Sequence, residues 1–155
     1  MSSKRSIKIV CPSYKRAGRV KAVKLFNKLT LAVHECERDE YMEAYPDNPL
    51  IVIPDHKRGN MAKVRNHILN QSQDHDLLMI DDDVRAVVYN GDSEKANPNS
   101  SHVDKEILEL DTFIVNAFTM MRELGTILWG INLIPDPRSY GEYSPLSFLS
   151  PVCDT

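Results

Sequence analysis

The sequence predicts an α/β fold: a three-layer sandwich around a mostly parallel central sheet. Short apolar runs alternate along the chain with segments whose apolar residues recur at helical spacing, the pattern of strands joined by crossover helices. Each apolar run ends on polar or turn-forming residues. The 155 residues suit one domain, 1–155, with a sizeable core.

Ile7 to Pro12, IKIVCP, reads as a short buried strand that stops at Pro12-Ser13. GRVKAVKLFNKL follows, where Val20, Val23 and Phe26, with Leu25 and Leu29, predict an apolar helical face. LTLAVHE is a second strand, ERDEYMEAY a short helix and PLIVIPD a third strand. NMAKVRNHILNQ predicts a helix that buries Met61, Val64 and Ile68. DLLMIDDD is a fourth strand, VRAVVYN a fifth extended segment, and Asn90-Gly91 a turn. The polar stretch from Gly91 to His102 reads as a loop. A helix from about Asp111 would bury Ile114, Ala117, Phe118 and Met121 and stop at Gly125. TILWGINLI reads as another strand, and the tail with Pro135, Pro137, Pro145 and Pro151 as irregular chain.

Composition narrows the function classes. Apolar content of 42% and charged content of 26% are ordinary for a globular protein. The net charge of -3 supplies no global basic field, although a local basic surface remains open. Three scattered cysteines with no CxxC spacing point to a reducing, intracellular compartment. The apolar run before Pro12 is too short for a signal-peptide core, and no run approaches the roughly 20 residues of a membrane-spanning helix. The expectation is a cytoplasmic protein without a membrane partner. The five histidines form no HxxxH or HxH pair and are read as structural or surface residues.

In a parallel sheet, ligands sit outside the carboxyl ends of the strands. That rim would collect Pro12, Ser13, Tyr14, Lys15 and Arg16 after strand one, and His34 and Glu35 after strand two. It would add Asp55, His56, Lys57 and Arg58 after strand three, and Asp81, Asp82 and Asp83 after strand four. Basic groups beside carboxylates are the chemistry expected around a diphosphate and a hard divalent cation. Residues i and i+2 of an extended segment share a side, so Asp81 and Asp83 would face one way and Asp82 the other. Mg²⁺ or Mn²⁺ between Asp81, Asp83 and substrate phosphates would cancel the carboxylates' mutual repulsion. A solvated acidic turn is the plainer reading.

These motifs resemble the A-type-fold nucleotide-sugar glycosyltransferases, which carry a DxD motif after a hydrophobic strand. MIDDDV fits that motif at Asp81 and Asp83, IVCPSYKRAGRV resembles the opening strand and nucleotide loop, and GNMAKVRNHIL resembles the Arg-Asn helix before the DxD strand. VHECERDEYMEAYP, IVIPDHKRGN and LWGINL narrow the likeness, over Ile7 to Leu133, to glycosyltransferases found beside TET/J-binding-type base dioxygenases in phages.

The resemblance implies a Rossmann-like nucleotide half and a glycosyltransferase dependent on Mn²⁺ or Mg²⁺. It implies a nucleotide-sugar donor, a UDP-sugar foremost, and a hydroxyl acceptor, with hydroxymethylated pyrimidines in DNA as one candidate. Pro12, Ser13, Tyr14 and Arg16 match the nucleotide loop. Tyr14 fits base stacking and a buried core position equally. Glu35 and Glu37 match a region that contacts base or ribose, and a surface helix start explains Glu37 as well. Arg65 matches the Arg of the Arg-Asn pair, Asn66 would cap or buttress the loop, and Asp82 joins Asp81 in the donor-binding set. Asp136, after WGINLIP, is the candidate base for an inverting reaction, and Trp129 a sugar-pocket or core residue. Members of the fold commonly continue past the last strand seen here, so a minimal enzyme, a truncated gene and a fragment all fit. A nucleotidyltransferase and a non-catalytic nucleotide-sugar-binding module stay open beside the enzyme. Lys4 to Lys24 is rich in Lys and Arg, with no Asp or Glu, and reads either as a local nucleic-acid surface or as a solubilising face.

Overall fold

The computed structural model describes residues 5–89, 105–107 and 109–131. Contacts within the chain divide it into two units, Met1–Ala86 and Val87–Thr155. The first contains β1 (Ser6–Pro12), β2 (Leu29–His34), α1 (Arg38–Ala44), β3 (Leu50–Ile53), α2 (Met61–Asn70) and β4 (His75–Met79). All three strand pairings are parallel and the order is β3-β2-β1-β4. Ile9 stands opposite Leu29 on one side and Leu78 on the other, so β1 is interior.

An interior parallel strand needs apolar residues on both faces. Every residue of β2 is buried, which explains why LTLAVH reads as a near-continuous run. Val10, Ala32, Ile51 and Ile53 form one core cluster with Val64 and Ile68 of α2. Each Val and Ile of the cluster contributes about 1.5–3 kcal/mol on burial. α2 begins where the Asn60 side chain accepts the Lys63 N–H at 3.1 Å, an N-cap. Its buried face is Val64 and Ile68; Met61 is exposed, against expectation.

The helix expected over GRVKAVKLFNKL is absent; only Ala22–Lys24 makes a single 3₁₀ turn. Its apolar residues are nonetheless covered, since Val20, Ala22 and Phe26 are buried. The segment's first residue, Gly18 (φ 71°), and Lys15 (φ 56°) in the loop before it take left-handed conformations that an α-helix cannot contain. The next amides are claimed from outside the segment. Val20 N–H donates to the Tyr45 hydroxyl at 2.8 Å, and Lys21 N–H to the Asp82 carbonyl at 2.8 Å.

In the second unit, β5 (Val88–Tyr89) pairs antiparallel with β6 (Lys105–Glu106), so only the end of VRAVVYN is strand. α3 (Leu110–Glu123) buries Leu110, Ile114 and Phe118 at i, i+4, i+8. Gly125 (φ 68°) stops it as expected: its N–H bonds Arg122 O and that of Thr126 bonds Met121 O, a Schellman ending. The strand expected over TILWGINLI does not form across its described part, 126–131. There Trp129 meets Phe118 edge-on at 5.3 Å, while Ile127 is fully exposed. The loop expected over Gly91 to His102 and the proline tail lie outside the described residues. Among the described residues no helix is long and apolar enough to cross a membrane.

Candidate functional site

Strand order reverses at β1, which has β2 on one side and β4 on the other. The crevice beyond the carboxyl ends of β1 and β4 is therefore the topological switch point, where open α/β sheets bind ligands. An open pocket of about 290 Å³ lies there. Pro12, Ser13, Tyr14 and Arg16 line it from the β1 loop, Ala32 and His34 from β2, and Ile53, Met61 and Val64 from β3 and α2; Asp81, Asp82 and Asp83 complete it.

The β1 loop is held by the backbone of β2 and by side chains from the segment after it. Ser13 N–H bonds Ala32 O at 3.0 Å, Lys15 N–H bonds Glu37 Oε1 at 2.9 Å, and Arg16 N–H bonds the Tyr41 hydroxyl at 3.0 Å. Because Tyr41 accepts from Arg16 and Ser13 donates to Asp82 Oδ2 at 2.7 Å, the Tyr41 hydroxyl proton points to Ser13 Oγ, 2.8 Å away. A directed chain, Tyr41 to Ser13 to Asp82, thus ties α1 to the carboxylates. Burial raises the Tyr41 hydroxyl pKa above its ordinary value, which keeps that proton in place.

The three aspartates are not extended, as the i, i+2 argument assumed. Ile80 N–H makes the last strand bond, to Val10 O at 3.0 Å, and the chain then turns, with Val84 N–H over Asp81 O at 3.5 Å. Asp82 is the anchored member: Oδ1 accepts from Arg16 Nη1 at 2.7 Å and Oδ2 from Ser13. Arg16 Nη1 also lies 3.7 Å from Asp83 Oδ2. Asp81 and Asp83 are exposed. The field they make is felt inside the sheet. Burial, then repulsion from Asp82, Asp81 and Asp83, pushes the Cys11 thiol up to about 12.

Also in the pocket's lining, Tyr14 stands edge-on to His34, ring centres 5.3 Å apart, with Lys15 Nζ 5.2 Å from the Tyr14 ring centre. Tyr14 is 40% exposed, so the buried-core alternative for it drops out. His34 is buried and its Nδ1 has no hydrogen-bond partner. Sequence reasoning set His34 aside with the other histidines. The available signal was its position at the carboxyl end of a mostly apolar strand, on the expected ligand rim.

Of the expected site residues, Pro12, Ser13, Tyr14, Arg16, Asp81, Asp82 and Asp83 come together around the pocket. Glu35 and Arg65 are exposed and do not line it. Glu37 is buried and fastens the loop instead, with Oε2 unpartnered. Asn60 caps α2, and Asn66, expected to cap or buttress the loop, is exposed on that helix. Lys57 Nζ bonds His67 Nδ1 at 2.9 Å and Arg58 pairs with Asp55 at 2.8 Å, so both are tied down locally. Asp136 lies outside the described residues.

Among the described residues, no three His, Cys, Asp or Glu side chains gather as a metal cage. With Asp82 engaged, Asp81 and Asp83 are the two carboxylates left for a cation. That donor set fits an ion which keeps waters and takes its remaining ligands from phosphates, the habit of Mg²⁺. Neither a curated protein nor a solved structure matches the chain. The family model described as TET-Associated Glycosyltransferase matches residues 7–119, a span that includes every pocket residue and stops short of Asp136.

Proposed function

The chain belongs to the TET-associated glycosyltransferase family, and on that premise we propose that the switch-point pocket binds a nucleotide-sugar and passes its sugar to a hydroxyl acceptor. The observation that carries this reading is the pocket's mixed lining: aromatic and apolar side chains of Tyr14, His34, Ile53 and Val64 together with the charged groups of Arg16 and Asp81 to Asp83. Its volume of about 290 Å³ lies near the lower end of the roughly 300–1,000 Å³ typical of small-ligand pockets. That suits the base and ribose, with the diphosphate at the carboxylate mouth.

Tyr14 offers a ring face to a base, and the unpartnered Nδ1 of His34 offers a hydrogen bond to its edge. Asp81 and Asp83 would hold Mn²⁺ or Mg²⁺, and Arg16 would take diphosphate oxygens. The cation, when bound, supplies stabilisation of charge on the leaving diphosphate. Arg16 adds a fixed positive charge on the same oxygens. Asp136 is the proposed base for the acceptor hydroxyl in an inverting reaction. The acceptor we favour is a hydroxymethylated pyrimidine in DNA.

A thermal-shift panel of UDP, GDP, CDP and dTDP with and without Mn²⁺ tests the donor site. A matched nucleotide at about 100 times its Kd should stabilise the protein by roughly 2.7 kcal/mol. Transfer is read by nucleoside mass spectrometry after incubating protein, Mn²⁺ and nucleotide-sugars with hydroxymethylcytosine or hydroxymethyluracil DNA. Transfer only to small-molecule or protein hydroxyls would remove the DNA acceptor and keep the glycosyltransferase. No shift with any nucleotide, with or without Mn²⁺, would remove the donor site.

A further inference from the structure

The carboxylate turn already has a cation in contact. Among the described residues, Arg16 is the one basic side chain within ion-pair distance of Asp81 to Asp83, and a single nitrogen, Nη1, makes both contacts, 2.7 Å to Asp82 and 3.7 Å to Asp83. Formal charges there are three negative and one positive, which leaves −2, the charge that one divalent ion neutralises. The two contacts are unequal. Asp82 has both oxygens bonded, by Arg16 and Ser13, and its side chain is 14% exposed. Asp83 is held loosely and its side chain is 63% exposed. Arg16 is also only half committed. Its backbone is pinned through Tyr41, but its side chain is 46% exposed, and among the described residues only Asp82 and Asp83 meet its planar, five-donor fork.

We propose that Arg16 is the resident counter-ion of the carboxylate turn: it competes with a divalent cation for Asp83 and yields that carboxylate when a diphosphate takes up the free side of its guanidinium. Cation and nucleoside diphosphate then bind cooperatively, and cation alone binds weakly. The inference rests on the nucleotide-sugar reading above and gives Arg16 a second task, that of coupling the two ligands. The thermodynamic form is reciprocal: the factor by which UDP tightens Mn²⁺ must equal the factor by which Mn²⁺ tightens UDP.

The test is calorimetric titration at fixed ionic strength of wild type, Arg16→Gln and Arg16→Lys. The ligands are Mn²⁺ alone, UDP alone, and UDP in saturating Mn²⁺. Removing a unit positive charge about 4 Å from a bound cation changes its affinity by about fivefold per unit of cation charge in water. Arg16→Gln should therefore bind Mn²⁺ alone at least fivefold tighter, bind UDP alone more weakly, and lose most of the coupling between them. Arg16→Lys keeps the charge and loses the fork, so Mn²⁺ alone should stay near wild type while UDP weakens; this variant also guards against a fold defect in the glutamine variant. Equal Mn²⁺ affinity in wild type and Arg16→Gln, with both weakened by Asp83→Asn, overturns the inference and leaves the donor site standing. Absence of Mn²⁺ binding in both proteins also overturns it. In that case retained binding of UDP with Mn²⁺ keeps the donor reading, and its loss removes both.

Discussion

Asp82 and its two neighbours are chemically identical and energetically different. Asp82 satisfies Ser13 and Arg16, whereas Asp81 and Asp83 face solvent. Asp82→Ala should therefore cost about 1–2 kcal/mol in urea unfolding, mostly from the lost hydrogen bonds, because the half-exposed Arg16 screens the ion-pair part. Asp81→Asn should stay within about 0.5 kcal/mol of wild type. Equal losses in the two variants would contradict the anchored role of Asp82. Cys11 gives a second residue-scale test. Its pKa is raised from 9.0 to about 12, so the folded state holds the proton that the unfolded chain releases. Stability is then unaffected below pH 9.0 and falls as pH rises from there towards 12. In the native protein at pH 8, peptide mapping after alkylation should find Cys11 unmodified until denaturant is added.

At the scale of elements, the chain from Ser13 to Ala22 shows how non-local partners set a backbone. Glu37 and Tyr41 take the Lys15 and Arg16 amides of the loop, and Tyr45 and the Asp82 carbonyl take those of Val20 and Lys21, at the start of the segment with helical spacing. Tyr41→Phe leaves the Arg16 N–H and the Ser13 hydroxyl each short of a partner at a fully buried position. It should cost about 1–3 kcal/mol, and by loosening the root of Arg16 it should also weaken UDP binding. Unchanged UDP affinity in a folded Tyr41→Phe protein would separate the loop's anchoring from its binding. The cap of α2 is a simpler case: Asn60→Ala should lower the unfolding free energy by about 1 kcal/mol without touching nucleotide affinity.

For the molecule as a whole, the net charge of -3 hides an uneven distribution. Lys15, Arg16, Arg19, Lys21 and Lys24 are all exposed, and none of the residues before Glu35 is acidic. The loop that carries them also lines the pocket, and Lys21 is bonded to the carboxylate turn through its amide. A DNA acceptor would meet this local positive surface. Its affinity should then fall with a log–log salt slope of about −0.9 for each phosphate neutralised. Lys21→Glu with Lys24→Glu should make that slope shallower and leave UDP binding intact. A flat salt response in wild type would argue for a small-molecule or protein acceptor.

Apolar sequence alone determined the parallel core. Parallel strands covered by helices are mostly apolar, so IKIVCP, LTLAVH, LIVI and DLLM announce themselves, although only LTLAVH is buried along its whole length, and the residues at their carboxyl ends follow from the fold class. Periodicity, however, reports burial and not backbone shape. Val20 and Phe26 are buried as their spacing implied, yet non-local acceptors for the Val20 and Lys21 amides, and a left-handed Gly18 just before them, decided the backbone there. The same limit applied to TILWGINLI, because a strand needs a partner and no local pattern encodes one. Only tertiary structure could distinguish Asp82 from Asp81 and Asp83. Their difference lies in which of three identical carboxylates the turn aims at Ser13 and Arg16, groups 69 and 66 residues away in the chain.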